Sequence, residues 1–368
     1  MFSPLFCEFI ETVNPVFLTV KKYLSENNLK IEEMWFWRAG GSAIKKAIEA
    51  DRPGISGGAL FDKSPHDFSI SVALLEPEEI EDLSILDAEI YQFLIHPNFF
   101  KENVQCLLNT INDPLFPKNF NLLIQNWYEN RKQIPADGLF SCDIKWQIKK
   151  QEKPIKGKYL FSWIGLSGEI KEEDCGKKIK LEGLHPKEKC FVDKLYELGF
   201  SPEEWLTTAC ELGPKKIINP HYQCYKWQAK VEEVRIGIIK CGGTSKEVYI
   251  VCNFLSKYDQ LKRFVKVVRK EGEKFIKESI YEDSDSIDYE KEKRKDLAKI
   301  FSQVILAIFS NNDAKYISKE ATLKVHEAIF KAQEIAFNKI KQNLTIQNFD
   351  YWWNNALSVF NRKIKRID

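Results

Sequence analysis

The alternation of apolar and polar positions is clearest over residues 142–149, where Cys142, Ile144, Trp146 and Ile148 interleave with Asp143, Lys145, Gln147 and Lys149. Period two marks a strand with one buried face. Beyond the polar loop QEKPIKGK, the run YLFSWIGL predicts its antiparallel partner. A second hairpin is predicted from VEEVRIGIIK and EVYIVCNFL around the turn CGGTSK, its second strand apolar on both faces as a central strand would be. DFSISVALL reads as a further strand.

Elsewhere the pattern is helical. Residues 1–50 carry Phe17, Val20 and Tyr23 at helical spacing, followed by the aromatic patch Trp35-Phe36-Trp37. Acidic starts and apolar periodicity predict helices across EEIEDLSILDAEIYQFLI, NVQCLLNTI and NFNLLIQNWY. FVDKLYELGF and PEEWLTTACEL form a helical pair around Gly199. A recognition helix opening on Pro202-Glu203-Glu204 would face phosphates with carboxylates, so this pair reads as an αα-hairpin that packs Trp205 into a core. After Ser256 four amphipathic segments (259–280, 290–310, 318–342 and 347–366) predict a bundle.

The fold class expected is therefore α+β, a mixed N-terminal region with two antiparallel β-hairpins and several helices, followed by a C-terminal helical bundle. The expected domains are 1–256, with a subdivision near 135, and 257–368. A length of 368 residues accommodates two domains.

Composition excludes a disordered chain: 44% of residues are hydrophobic and the net charge is only +2. The start, MFSPLFCEFIETVNPVF, is broken by Pro4, Glu8, Glu11 and Pro15 and does not read as a signal peptide. With no export signal, the nine dispersed cysteines read as reduced thiols, and the expected setting is cytoplasmic and microbial, with no membrane contact. Charge is uneven along the chain, net +5 from residue 259 onward and net −3 before it.

Candidate chemistry is sparse. Gly54-Ile55-Ser56-Gly57-Gly58 satisfies G-x-S-x-G, in which a serine sits on a strained turn with glycines on both sides. GISGGAL resembles the serine segment of patatin-like hydrolases over about ten residues. That resemblance implies a Ser/Asp pair, Ser56 with Asp137 of Asp137-Gly138, and Gly40-Gly41 as oxyanion glycines. The strand that should stand between the glycine pair and the serine is not predicted. For zinc, Cys175, Cys190, His221 and Cys224 are the candidate ligands, with only His221 and Cys224 closely spaced. Asp143-Ile144-Lys145 and Glu169-Ile170-Lys171 fit the short part of a Mg²⁺ nuclease motif, which a chain so rich in lysine and acids produces by chance. Neither a phosphate loop nor G-x-G-x-x-G is present.

Two lysine-rich clusters need no missing element: Lys149, Lys150, Lys153 and Lys156 around the first hairpin, and Arg362, Lys363, Lys365 and Arg366 near the end of the sequence. Cations so grouped suit phosphate backbones. The leading expectation is thus a non-catalytic binding or assembly protein within a larger complex, meeting nucleic acid or an acidic protein partner, with no cofactor. A serine hydrolase using Ser56 and Asp137 is the alternative.

Overall fold

The computed structural model describes residues 10–40, 58–92, 137–162, 169–173, 178–206, 227–229, 233–242, 247–255, 262–272, 274–283, 298, 302, 318–343 and 364–366. Its centre is an eight-stranded sheet built from β1 (Lys30–Ala39), β2 (Ile80–Gln92), β3 (Asp137–Ile148), β4 (Ile155–Ser162), β8 (Val234–Gly242), β9 (Val248–Asn253), β10 (Phe264–Glu271) and β11 (Lys274–Glu282). The strand order is β11-β10-β9-β8-β1-β4-β3-β2. β1 runs parallel to β4, and every other neighbouring pair is antiparallel. Two small ribbons, β5 (Glu169–Glu173) with β6 (Lys178–Glu182) and β7 (Trp227–Ala229) with β12 (Ile364–Arg366), stand outside this sheet.

β1 is central because its side chains are apolar on both faces: Met34 and Phe36 enter one core, Trp35 and Trp37 the other. The first core is closed by α1 (Pro15–Glu26), α2 (Gly58–Leu75) and α5 (Lys319–Asn343). α1 starts where Asn14 Oδ1 accepts from the Val16 amide at 3.0 Å with Pro15 at the first helical position, and it buries Val16, Phe17, Val20 and Leu24. The second core is closed by α3 (Pro186–Glu197) and the single turn α4 (Pro202–Trp205). They flank Gly199, whose φ of 79° suits glycine, and Trp205 is fully buried as expected, while residues 207–212 of the expected second helix lie outside the described residues.

A hydrogen-bonded chain ties α2 to the sheet. Trp146 Nε1 donates to the Tyr159 hydroxyl (3.1 Å), which donates to Ser71 Oγ (2.8 Å), and Ser71 donates to the Asp67 carbonyl (2.9 Å). Gly157 leaves room for it, since a Cβ there would lie 2.6 Å from the Tyr159 ring and 2.9 Å from Trp146 Nε1. At the far end of the sheet Arg263 and Asp283, both buried, bond through Nε and the Arg263 amide and clamp the two ends of the β10–β11 hairpin together. α5 lies along the edge strand β2, where Lys331 Nζ donates to the Leu83 carbonyl at 2.9 Å.

This architecture overturns the expected fold class. Strands β10 and β11 occupy the first segment of the expected helical bundle, and β10 pairs with β9 across the boundary drawn at 256, so one sheet spans both expected domains. Of the other three bundle segments, 318–342 is helical, as α5, while 347–366 contributes β12 and 290–310 falls almost wholly outside the described residues. Within the N-terminal part, Lys30–Ala39 and Ile80–Gln92 are strands where helices were expected, and DFSISVALL belongs to helix α2. The segments NVQCLLNTI and NFNLLIQNWY lie outside the described residues. Among the described residues no helix is long and apolar enough to cross a membrane.

Candidate functional site

β1 and β4 end side by side, with the Gly40 amide donating to the Ser162 carbonyl at 3.1 Å. In parallel α/β sheets ligands bind at the carboxyl ends of the strands, and β1–β4 is the one parallel pair of this otherwise antiparallel sheet. Here a buried ionic network collects. Arg38, on the α2 face of β1 and 3% exposed, donates through Nε and Nη2 to Asp67 Oδ1 at 3.1 and 2.9 Å. Its Nη2 also lies 3.0 Å from Glu11 Oε1, in the one-turn 3-10 helix Ile10–Val13. Asn14 Nδ2 donates to the other Glu11 oxygen. His66 Nδ1 stands 3.8 Å from Glu11 Oε1, and its side chain is 37% exposed.

Local sequence explains the placement. Pro65 inside α2 has no amide proton, so the turn it heads lacks a helical bond, and His66 and Asp67 follow it directly. The guanidinium bridges two carboxylates, as burial of a charge requires. Burial pushes the Glu11 carboxyl up, but Arg38, with His66 and Arg235, outweighs it and holds it below the usual carboxylate range. For Asp67 burial outweighs Arg38 and the carboxyl is raised. Burial, then Arg38, pulls the His66 imidazole down to about 4, against the opposing pull of Glu11. The site therefore offers an imidazole that is neutral at physiological pH, partly open to solvent, with a carboxylate beside it. At rest such a group is a weak base, and it becomes a better proton acceptor only when a nearby anion offsets Arg38.

A second charged group lies on the opposite face. Asp87 and Asp143 oppose each other in the β2–β3 register, and Glu89 opposes Ser141. Lys187 of α3 reaches Asp87 (3.3 Å) and Glu89 (3.2 Å), and Lys339 of α5 also pairs with Asp87. Lys158 sits 4.3 Å from the Trp35 ring centroid, opposite Asp143 in the β3–β4 register. Cations from two helices thus occupy these carboxylates, which dock α3 and α5 onto β2. Among the described residues no three metal-ligating side chains converge.

The sequence-derived candidates are brought together only in part. Lys149, Lys150, Lys153 and Lys156 lie at the β3–β4 turn, at the end of the sheet opposite the Arg38 network. Lys149 is docked there by its amide on the Glu79 carbonyl (2.9 Å) and its Nζ on the Glu78 carbonyl (2.6 Å), while Lys150, Lys153 and Lys156 are exposed. Lys365 and Arg366 belong to the separate β7–β12 ribbon, paired with Gln228 and Trp227, and Arg362 and Lys363 lie outside the described residues. So do Ser56, Gly41, Cys175, His221 and Cys224; Asp137 opens β3 opposite Gln92, and Cys190 is exposed on α3. Sequence reading missed Arg38, Glu11, Asp67 and the role of His66. His66 and Asp67 are adjacent in the sequence and sit on one turn of α2.

No protein-family model and no curated protein matches the sequence. Among solved structures, the chain is similar to KijD10, a 3-ketoreductase from Actinomadura kijaniata, in complex with TDP-benzene and NADP (9% identity, TM-score 0.39, 88% of this chain and 58% of that one). The same enzyme with NADP matches at 8% identity and a TM-score of 0.40 over the same shares. The proposed oxidoreductase yvaA from Bacillus subtilis matches at 11% identity and a TM-score of 0.40, over 91% of this chain and 64% of that one. The chain thus spans about three fifths of the length of these structures, and likeness at this level carries no argument about activity. The expected non-catalytic nucleic-acid-binding protein is nevertheless corrected. Its cation clusters lie on separate sheets, and its helical bundle begins with strands of the central sheet.

Proposed function

We propose that this chain is an enzyme that moves a proton with His66, at the carboxyl ends of β1 and β4. One observation carries the reading: a partly exposed, neutral imidazole stands 3.8 Å from a carboxylate that is itself fixed by a buried Arg38–Asp67 pair. With Nδ1 turned to Glu11, Nε2 is the nitrogen that exchanges protons with substrate. When Nε2 takes a proton, the adjacent Glu11 carboxylate stabilises the imidazolium, and the 3.8 Å gap has room to shorten as charge develops. Arg38 and Asp67 are positioning residues. They hold Glu11 in place and never touch substrate.

The test is consumption of small molecules from a cell metabolite extract, followed by mass spectrometry, with wild type and His66→Gln side by side. The expected outcome is at least one compound consumed by wild type and consumed about 10²–10⁴-fold more slowly by the variant, with melting temperatures that agree. Equal consumption by the two proteins, or none by wild type, overturns the reading.

A further inference from the structure

The β1–β8 register sets Arg38 directly opposite Arg235. Like charges facing each other across antiparallel strands repel, and anions beside them relieve the repulsion. Arg38 meets its share in full, with Asp67 and Glu11 both within 3.1 Å. Arg235 does not. Its ion-pair partner is Glu233 on its own strand end, at 3.9 Å, and its side chain remains 30% exposed. The groups around His66 are Glu11 from the 3-10 turn, Arg38 from β1, Arg235 from β8, and Lys63 and Asp67 from α2. Of these, Arg38, Arg235 and Lys63 place positive potential on the imidazole, with Glu11 opposing them.

From this geometry, and resting on the site described above, we infer that the substrate is an oxyanion, a carboxylate or phosphate, held by the Arg235 guanidinium beside the His66 imidazole. A guanidinium presents paired N–H donors in a plane, which two oxygens of such a group match in a way an ammonium does not. The bound anion pairs with the one guanidinium of the facing pair that is partly exposed and held only by a long contact, 3.9 Å to Glu233, and it draws the substrate's remaining atoms towards Nε2. Arg235 is then the specificity-determining contact, and Arg38, fully engaged, is not.

The experiment uses the full chain, labelled at histidine nitrogens, titrated separately with inorganic phosphate and with acetate while the His66 imidazole is followed by NMR. Saturable binding of either anion that raises the pH midpoint of His66 by at least one unit, and that weakens at least tenfold in Arg235→Gln at unchanged melting temperature, supports the inference. The anion that does so identifies the class. Absence of a His66 response to both anions, or an equal response in Arg235→Gln, overturns it. Arg235→Lys separates fork geometry from charge, and recovery of wild-type affinity in that variant also overturns the assigned role. Failure here leaves the His66 turnover test standing. Conversely, anion binding through Arg235 alongside unimpaired turnover by His66→Gln would remove the proton-transfer reading and keep the anion site.

Discussion

At the scale of single residues, the imidazole of His66 links the candidate chemistry to stability. Folding lowers its proton affinity from the ordinary 6.5 to about 4, chiefly through burial and then through Arg38. Between those values the unfolded chain carries the proton and the folded one does not, so stability rises with pH through the window and is lost as pH falls from 6.5 towards 4. His185, also lowered by burial, contributes with the same sign. Melting temperature followed by circular dichroism across this range should fall less steeply in His66→Gln than in wild type, the residual slope coming from His185 and the carboxylates. Identical slopes would place His66 outside the buried network. The residues of this network were only partly legible in the sequence. His66 and Asp67 are adjacent in the chain, but Glu11 and Arg38 come from elements whose pairing depends on contacts far along it.

At the scale of elements, the misread segments share a cause: local pattern competes with burial on two sides. DFSISVALL alternates like a strand, yet in α2 the serines are buried together with the apolar residues. Their hydroxyls are satisfied within the helix, Ser69 donating to the His66 carbonyl and Ser71 to that of Asp67. In β2 the opposite occurs. Register shifts between Ile80 and Asp82 and between Ile85 and Asp87 break the alternation, so a strand dense in acids imitates a helix. The β10–β11 turn falls at Gly272, whose φ of 63° suits the tight connection between Glu271 and Lys274, inside the segment 259–280 that was expected to be helical. The hairpins β3–β4 and β8–β9, each with a turn signal and a one-sided or wholly apolar strand, were readable.

The edge strand β2 gives this scale its prediction. α5 lies along it, with Lys331 on the Leu83 carbonyl and Lys339 on the Asp87 side chain, so the helix stands where another chain would pair with the edge. A chain ending before Lys319 should expose thirteen residues of edge strand and the first core beneath α5. Light scattering at 37 °C should then show concentration-dependent aggregation that the full chain does not. A truncated chain that stays monodisperse would mean that α5 does not protect the edge.

For the whole molecule, what matters is that one sheet runs through both expected domains. Pairing of β9 with β10 extends from Phe264 opposite Asn253 to Arg269 opposite Val248, and Arg263–Asp283 closes the outer hairpin. The fragment 1–256 should therefore not fold alone: it would lose the β10 partner of β9 and the apolar cover given by Val265, Val267 and Val268. Urea titration of the fragment should give no cooperative transition, where the full chain should unfold with a clear midpoint. A sharp transition in the fragment would restore 256 as a domain boundary. Composition and charge could not reveal this, because strand order is set by which distant segments meet, and no local window contains that information.

The parallel pairing of β1 with β4, and the seating of β8 on its other side, has a consequence during synthesis. MWFWRA leaves the ribosome with both of its faces apolar, and its second neighbour follows about 200 residues later, a wait of roughly 10–40 s at ~5–20 residues per second. Throughout that interval this strand lacks one of its two hydrogen-bonded neighbours. Holdase chaperones would meet it first, and the yield of active protein in cells should depend on their supply and on the speed of translation.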